Sequence, residues 1–135
     1  REKQEQSRPP RDLKRGPGGL SDIEFLLQRL QLEHAVHRPE LRQTNTWQAL
    51  TALRRVGILD VGEYTDLSEG YAFLLRVQNR LRIVHNRTID LLPEEPAEID
   101  KLARRLGIES GQRLSEELET HRQCIRAVYL RRIGV

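Results

Sequence analysis

Residues 60–85, DVGEYTDLSEGYAFLLRVQNRLRIVH, form the longest uninterrupted helical pattern in the chain. Leu67, Leu74 and Leu81 recur every seven residues, with Tyr71, Gln78 and His85 beside them. That repeat is the spacing by which one helix lies along a neighbour in a bundle. Asp60 is placed to cap the start. Gly70 interrupts the pattern, and a glycine inside a helix costs about 1 kcal/mol relative to alanine. A close helix crossing would explain it. Arg76, Arg80, Arg82 and Arg87 make the region basic. A charge run of this kind is either a solvated, ion-paired helix face or a surface that meets phosphates.

Working outward, four shorter helices frame this one. Residues 22–36 carry Ile23, Leu26, Leu27, Leu30 and His34 at helical spacing. Phe25, Leu32 and Val36 widen the apolar surface, so burial on more than one side is expected. Pro39 then breaks the helix. A second helix starts near Thr46, with Thr44 or Asn45 as cap and Gly57 at its end. Trp47, the single tryptophan, reads as a core or inter-helix anchor. After a loop over 88–95, Pro96 opens a further helix that Gly107 closes. The last helix, about 113–132, carries the stripe Leu114, Leu118, His121, Ile125 and Val128. Cys124 reads as a small buried group. The expected fold is all-α, a bundle of about five helices around one long central helix.

Ahead of the bundle stands Lys14-Arg15-Gly16-Pro17-Gly18-Gly19-Leu20-Ser21-Asp22-Ile23-Glu24-Phe25. Gly18 and Gly19 permit a tight turn and close backbone approach. Ser21 and Glu24 have the spacing of a capping box. Free N–H groups at a helix start attract anions, and Lys14 and Arg15 add full charge. Asp22 and Glu24 suit the helix dipole, and their oxygens could hold a divalent cation. The same turn also fits a plain loop-to-helix junction. It is neither a Walker A motif nor a dinucleotide fingerprint, since no Gly-Lys-Ser/Thr follows the glycines and no strand pattern precedes them.

A chain of 135 residues suits one domain. Residues 1–13 read as a linker or frayed end from an upstream domain, and 14–135 as a helical domain that starts with the glycine-rich turn at 14–20. The charged fraction of 32% suits long solvated helix faces, and the net charge of +3 is spread through mixed-sign sequence. That spread argues against a nucleic-acid partner. One cysteine excludes an internal disulfide. No apolar run is long enough for a membrane, and a cytoplasmic location is the simplest fit.

The string LKRGPGGLSDIEFLLQRLQL resembles the K-x-G-x-G-G-[IL]-x-[DE]-[IV]-E-F-x-x-Q signature of the bacterial glutamine synthetase adenylyltransferase family. TWQALTALRRVGIL, LSEGYAFLLRVQNRLRIVHNRTIDLLP, LARRLGI and ELETHRQCIRAVY resemble later blocks of that family in the same order. The likeness covers roughly residues 12–130. Gln78 and Asn79 differ, standing where the family often has Glu or His.

The resemblance implies a piece of a large enzyme with two nucleotidyltransferase domains, each followed by a helical domain. One half transfers AMP from ATP to a tyrosine of glutamine synthetase, and the other removes it by phosphorolysis. Both use Mg²⁺, and the PII signalling protein and glutamine set the balance. The catalytic carboxylates belong to the upstream nucleotidyltransferase domain, and their motifs are absent here. Ser21–Phe25 looks more like the C-terminal, adenylylating half. On this reading the chain supports the transferase site but is inactive alone. Lys14, Arg15, Gly16, Gly18 and Gly19 lie near nucleotide phosphates, while Ser21, Asp22 and Glu24 cap the helix or border the metal. Gly19→Val is expected to cut adenylylation and leave the helical part folded. The alternative implied role is a recognition or regulatory module that binds glutamine synthetase or PII.

Overall fold

A computed structural model describes residues 12–85 and 90–133 of the chain. Residues 1–11 of the expected linker, together with Arg87 and Thr88, lie outside the described residues. Within them the fold is all-α. The helices are α1 (Leu20–His34), α2 (Thr46–Arg55), α3 (Val61–His85), α4 (Pro96–Arg105) and α5 (Gly111–Ile133), with a single 3-10 turn at Pro39–Leu41.

Local chemistry sets most of the boundaries. Asn45 caps α2 by accepting from the Gln48 N–H at 3.1 Å. Asp60 and Glu63 form a reciprocal capping box at the start of α3. The Asp60 side chain accepts from the Glu63 N–H at 2.7 Å, and Glu63 accepts from the Asp60 N–H at 3.1 Å. Gly57 and Gly107, with φ of 82° and 77°, turn the chain out of α2 and α4.

The core lies along α3 and α5. Leu67, Leu74 and Leu81 of α3 and Leu114, Leu118, Ile125 and Val128 of α5 are buried. Gly70 sits at the crossing of these two helices. A methyl group added there would lie 2.6 Å from Ile125 Cδ1, so the missing side chain is what lets the helices approach. Phe73 stacks on His121 at 4.7 Å, which makes His121 a packing residue. The Arg76 guanidinium donates to the Leu106 carbonyl and ties α3 to the end of α4. Helices α1 and α4 also pack on α5, and α2 bridges α1 and α3.

Two expectations change, and that for Trp47 holds as an inter-helix anchor. The outer apolar positions of α1 and of the turn after it are not covered: Leu32 and Val36 are 77% and 74% exposed. Trp47 does anchor α2 to α3, edge-on to Tyr71 at 4.9 Å, yet it remains 42% exposed. Cys124 is only half-buried. Apolar spacing shows which face is sticky, but only a packed neighbour determines whether it is covered. No helix among the described residues is long and apolar enough to cross a membrane.

Candidate functional site

The glycine-rich turn lies within the folded body. Leu13 is fully buried, and Asp12 pairs with Leu91 in an isolated antiparallel bridge. The Leu13 N–H donates to the Asp90 carbonyl at 2.7 Å. The packed body therefore begins at least two residues before position 14, where the domain was expected to start. Asp90 is held in turn by the side chains of Gln78 and Arg82, each donating at 2.8 Å. Residues far apart in sequence thus converge on the turn from α3, from the segment at 90–91, and from α5.

Gly18 explains the close approach to α5. Its φ is +72°, and an added Cβ would lie 2.3 Å from the Arg122 carbonyl oxygen. Gly19 has a different reason. Its Cβ would meet the carbonyl oxygens of Leu13 at 2.6 Å and of Gly16 and Lys14 at 2.9 Å. Both positions are glycine because protein backbone already fills the space. Gly19→Val therefore disrupts the turn itself, which corrects the expectation that the variant stays folded.

The N–H groups are spent in the same way. Lys14 and Arg15 donate to Asp12 Oδ1, Gly16 to the Asp12 carbonyl and Gly18 to Asp22 Oδ2. Gly19, Leu20 and Ser21 donate to the carbonyls of Gly16, Leu13 and Lys14. Pro17 has none to give. The free N–H groups expected for an anion are thus already bonded inside the turn, and what faces outward is side chain. Arg15 is exposed and Lys14 half-buried, while Gly16, Gly18 and Gly19 are buried.

The capping box at Ser21 and Glu24 does not form. Gly19 is the N-cap, without a side-chain cap bond, and Ser21 lies inside the first turn of α1. Asp22 takes over. Only 2% exposed, it accepts from the Gly18 N–H at 2.7 Å and from Arg126 Nη1 at 3.0 Å. It closes the turn and ties it to α5 at once. Arg126 also lies over the Tyr129 ring at 4.7 Å. Glu24 is exposed and lines a cleft against α2 with Leu27 and Gln28. The two carboxylates serve different surfaces, and Asp22 is paired with a guanidinium. The pair does not fit a divalent cation, which needs its oxygens directed to one point.

Removing one partner of a buried ion pair costs about 3–5 kcal/mol. The partial exposure of Arg126, 24%, lowers that for Asp22. Asp22→Ala is expected to destabilise the chain by about 2 kcal/mol in chemical denaturation, below the range for a fully buried pair. A change under about 0.5 kcal/mol, the level of ordinary surface substitutions, would show that Asp22 does not hold the turn.

Arg122 was not singled out from sequence. It is 7% exposed, and burial holds its pKa below the usual guanidinium range, against the opposing charges of Glu119 and Asp12. Its Nε and Nη2 are buried with no hydrogen-bond partner. A buried polar group without an acceptor costs about 1–3 kcal/mol, more when charged. The visible signal was a lone arginine in register with the α5 stripe, one position from His121.

The family model described as GlnD PII-uridylyltransferase matches residues 1–131. The chain belongs to that family. Among curated relatives, three named bifunctional glutamine synthetase adenylyltransferase/adenylyl-removing enzyme match most of the chain. The protein of Cutibacterium acnes is 42% identical over 121 residues, 88% of this chain and 12% of its own length. That of Xanthomonas campestris is 39% identical over 118 residues, covering 87% and 13%. That of Streptomyces avermitilis is 35% identical over 121 residues, covering 88% and 12%. The glutamine synthetase adenylyltransferase family read from the turn and its later blocks is thus supported across the chain. The chain spans about an eighth of the length of these relatives.

Proposed function

We propose that this chain is the helical domain of a bifunctional glutamine synthetase adenylyltransferase/adenylyl-removing enzyme. In this reading it supports a nucleotidyltransferase site on an adjoining domain, which moves AMP from ATP to a tyrosine of glutamine synthetase. The supporting observation is the docked turn. Its backbone is bonded to itself and rests on α5, so Lys14 and Arg15 project from a fixed base. A fixed cation beside a phosphate spends little free energy on ordering itself. The chemistry, and any Mg²⁺, belongs to carboxylates of the adjoining domain. Within this chain, Asp22 positions the turn and the glycines allow it to dock.

The test uses the full-length enzyme. With Lys14→Ala and Arg15→Ala combined, adenylylation is expected to fall at least about tenfold, since a hydrogen bond to a charged group is worth about 1.5–3 kcal/mol. The fold should be unchanged, because neither side chain packs in the core. Full activity in the double variant would remove the turn from the nucleotide site.

A second reading has its own observation. Leu32 and Val36 lie exposed beside a cleft of about 550 Å³ lined with Gln28, Gln31, Ala35 and Arg42. Such a face suits protein recognition, with glutamine synthetase or PII as the partner. Leu32→Glu with Val36→Glu would then abolish that binding while the Lys14 and Arg15 variants retained it.

A further inference from the structure

Among the described residues, the buried side-chain nitrogens without an acceptor belong to two arginines, Arg82 at Nε and Arg122 at Nε and Nη2. Arg82 already donates to Asp90 through its Nη2. Arg122 differs in kind. Nε and Nη2 form one edge of the guanidinium, with two N–H bonds pointing the same way. That edge is the geometry that takes two oxygens of a single anion. Here the whole edge is unfilled on a residue that is 7% exposed.

Two carboxylates act on Arg122 through space, those of Glu119 and Asp12, and neither is hydrogen-bonded to it. Asp12 is engaged elsewhere, with its Oδ1 accepting from the N–H groups of Lys14 and Arg15. The residue's own backbone is where Gly18 rests. The unfilled edge therefore belongs to the stretch of α5 that carries the glycine turn. The turn's backbone donors are already used, so anion binding here falls to side-chain cations. Lys14 and Arg15 meet solvent, whereas Arg122 holds two donors buried without a partner.

We propose that the Nε/Nη2 edge of Arg122 is the receptor for one phosphate group, free or carried by a nucleotide. The proposal takes its ligand class from the reading above and its residue from the unfilled edge, so the two can fail separately.

Inorganic phosphate is titrated into the 135-residue chain at constant ionic strength, with chloride as the reference. Thermal unfolding and the Nε–H resonance of Arg122 are followed together. The expected result is a saturable rise in Tm that chloride does not give, with a saturable shift of that resonance. Arg122→Lys keeps the charge and loses the two-donor edge, so it should weaken phosphate binding by about tenfold or more. An Arg122 resonance that stays still through the titration overturns the proposal, as does an Arg122→Lys variant that binds phosphate like the parent. If Arg122→Lys does not fold, the resonance of the unchanged chain decides alone.

Titration with ADP separates the sources. Binding tighter than that of phosphate assigns the site to a nucleotide, and equal or weaker binding assigns it to free phosphate. Either result upholds the receptor. The Lys14→Ala and Arg15→Ala double variant separates the two ideas. A phosphate response that survives there and is lost in Arg122→Lys places the receptor on Arg122. The converse overturns Arg122 and leaves the turn's own cations as the site.

Discussion

Gly18→Ala lowers the stability of the chain by about 3 kcal/mol, the sum of two costs taken from ordinary ranges. The first is conformational. At φ +72° a side chain crowds its own backbone, which costs about 1–2 kcal/mol per residue. The second is contact. The new methyl would lie 2.3 Å from the Arg122 carbonyl oxygen and 2.8 Å from its carbonyl carbon and Cα. Helix backbone cannot rotate aside as a side-chain tip can, and forced overpacking costs about 1–3 kcal/mol. Gly107 provides the control. It has nearly the same φ, +77°, with nothing within 4 Å of its added methyl. Gly107→Ala should therefore lose only the conformational part, about 1 kcal/mol. Urea unfolding of both variants measures the difference. If the two losses agree within about 0.5 kcal/mol, the level of a surface substitution, the turn does not rest on α5.

Glu63→Gln is expected to cost about 3 kcal/mol near pH 7, the lower end for breaking a buried ion pair. Glu63 is 3% exposed and bonded on both oxygens by Arg132, at 2.5 and 2.8 Å, with Arg131 at 4.0 Å. Arg132 also donates to the Ile58 carbonyl at 2.5 Å, so the end of α5 is fastened to the start of α3. Partial exposure of Arg132, 30%, keeps the estimate at the lower end. The hydrogen bond from Arg132 holds the Glu63 carboxyl below its ordinary value of 4.5, with burial opposing and the Asp60 N–H and the charges of Arg132 and Arg131 assisting. A lowered native pKa gives stability that is complete above the unfolded value and disappears as pH falls through the native one. The gap between parent and Glu63→Gln should thus be constant from pH 6 to 8 and close below about pH 4.5. Thermal melts across that range check it, and a gap that persists at pH 3 would place the effect outside the ion pair.

What could be read from sequence was what neighbouring residues decide. Asn45, Asp60, Gly57 and Gly107 act on helix ends within a few residues of themselves, and their spacing showed it. The heptad of Leu67, Leu74 and Leu81 likewise marked the buried face of α3. The turn was harder because its partners are remote. Ser21 and Glu24 have capping spacing, yet Asp22 takes the role once Arg126, 104 positions away, draws it into the core. The glycines suggested open space for a ligand, whereas the space is occupied by the backbone of Arg122 and by the turn's own carbonyls. Arg122 drew no reading from sequence, although it is in register with the apolar stripe of α5. Its burial depends on what packs over it, and that is a property of the assembled helices.

The turn depends on Asp90, Arg122 and Arg126, so none of its long-range supports exists until the later helices are made. Local helices form early, and contacts that close long loops form late. Docking of the turn is then a late step, so a substitution at Gly18 speeds its release more than it slows folding. On the ribosome, where a domain folds as its chain emerges, the turn is synthesised before α5 and secured only after it. The stretch that carries the family signature waits, unanchored, for α5 to arrive.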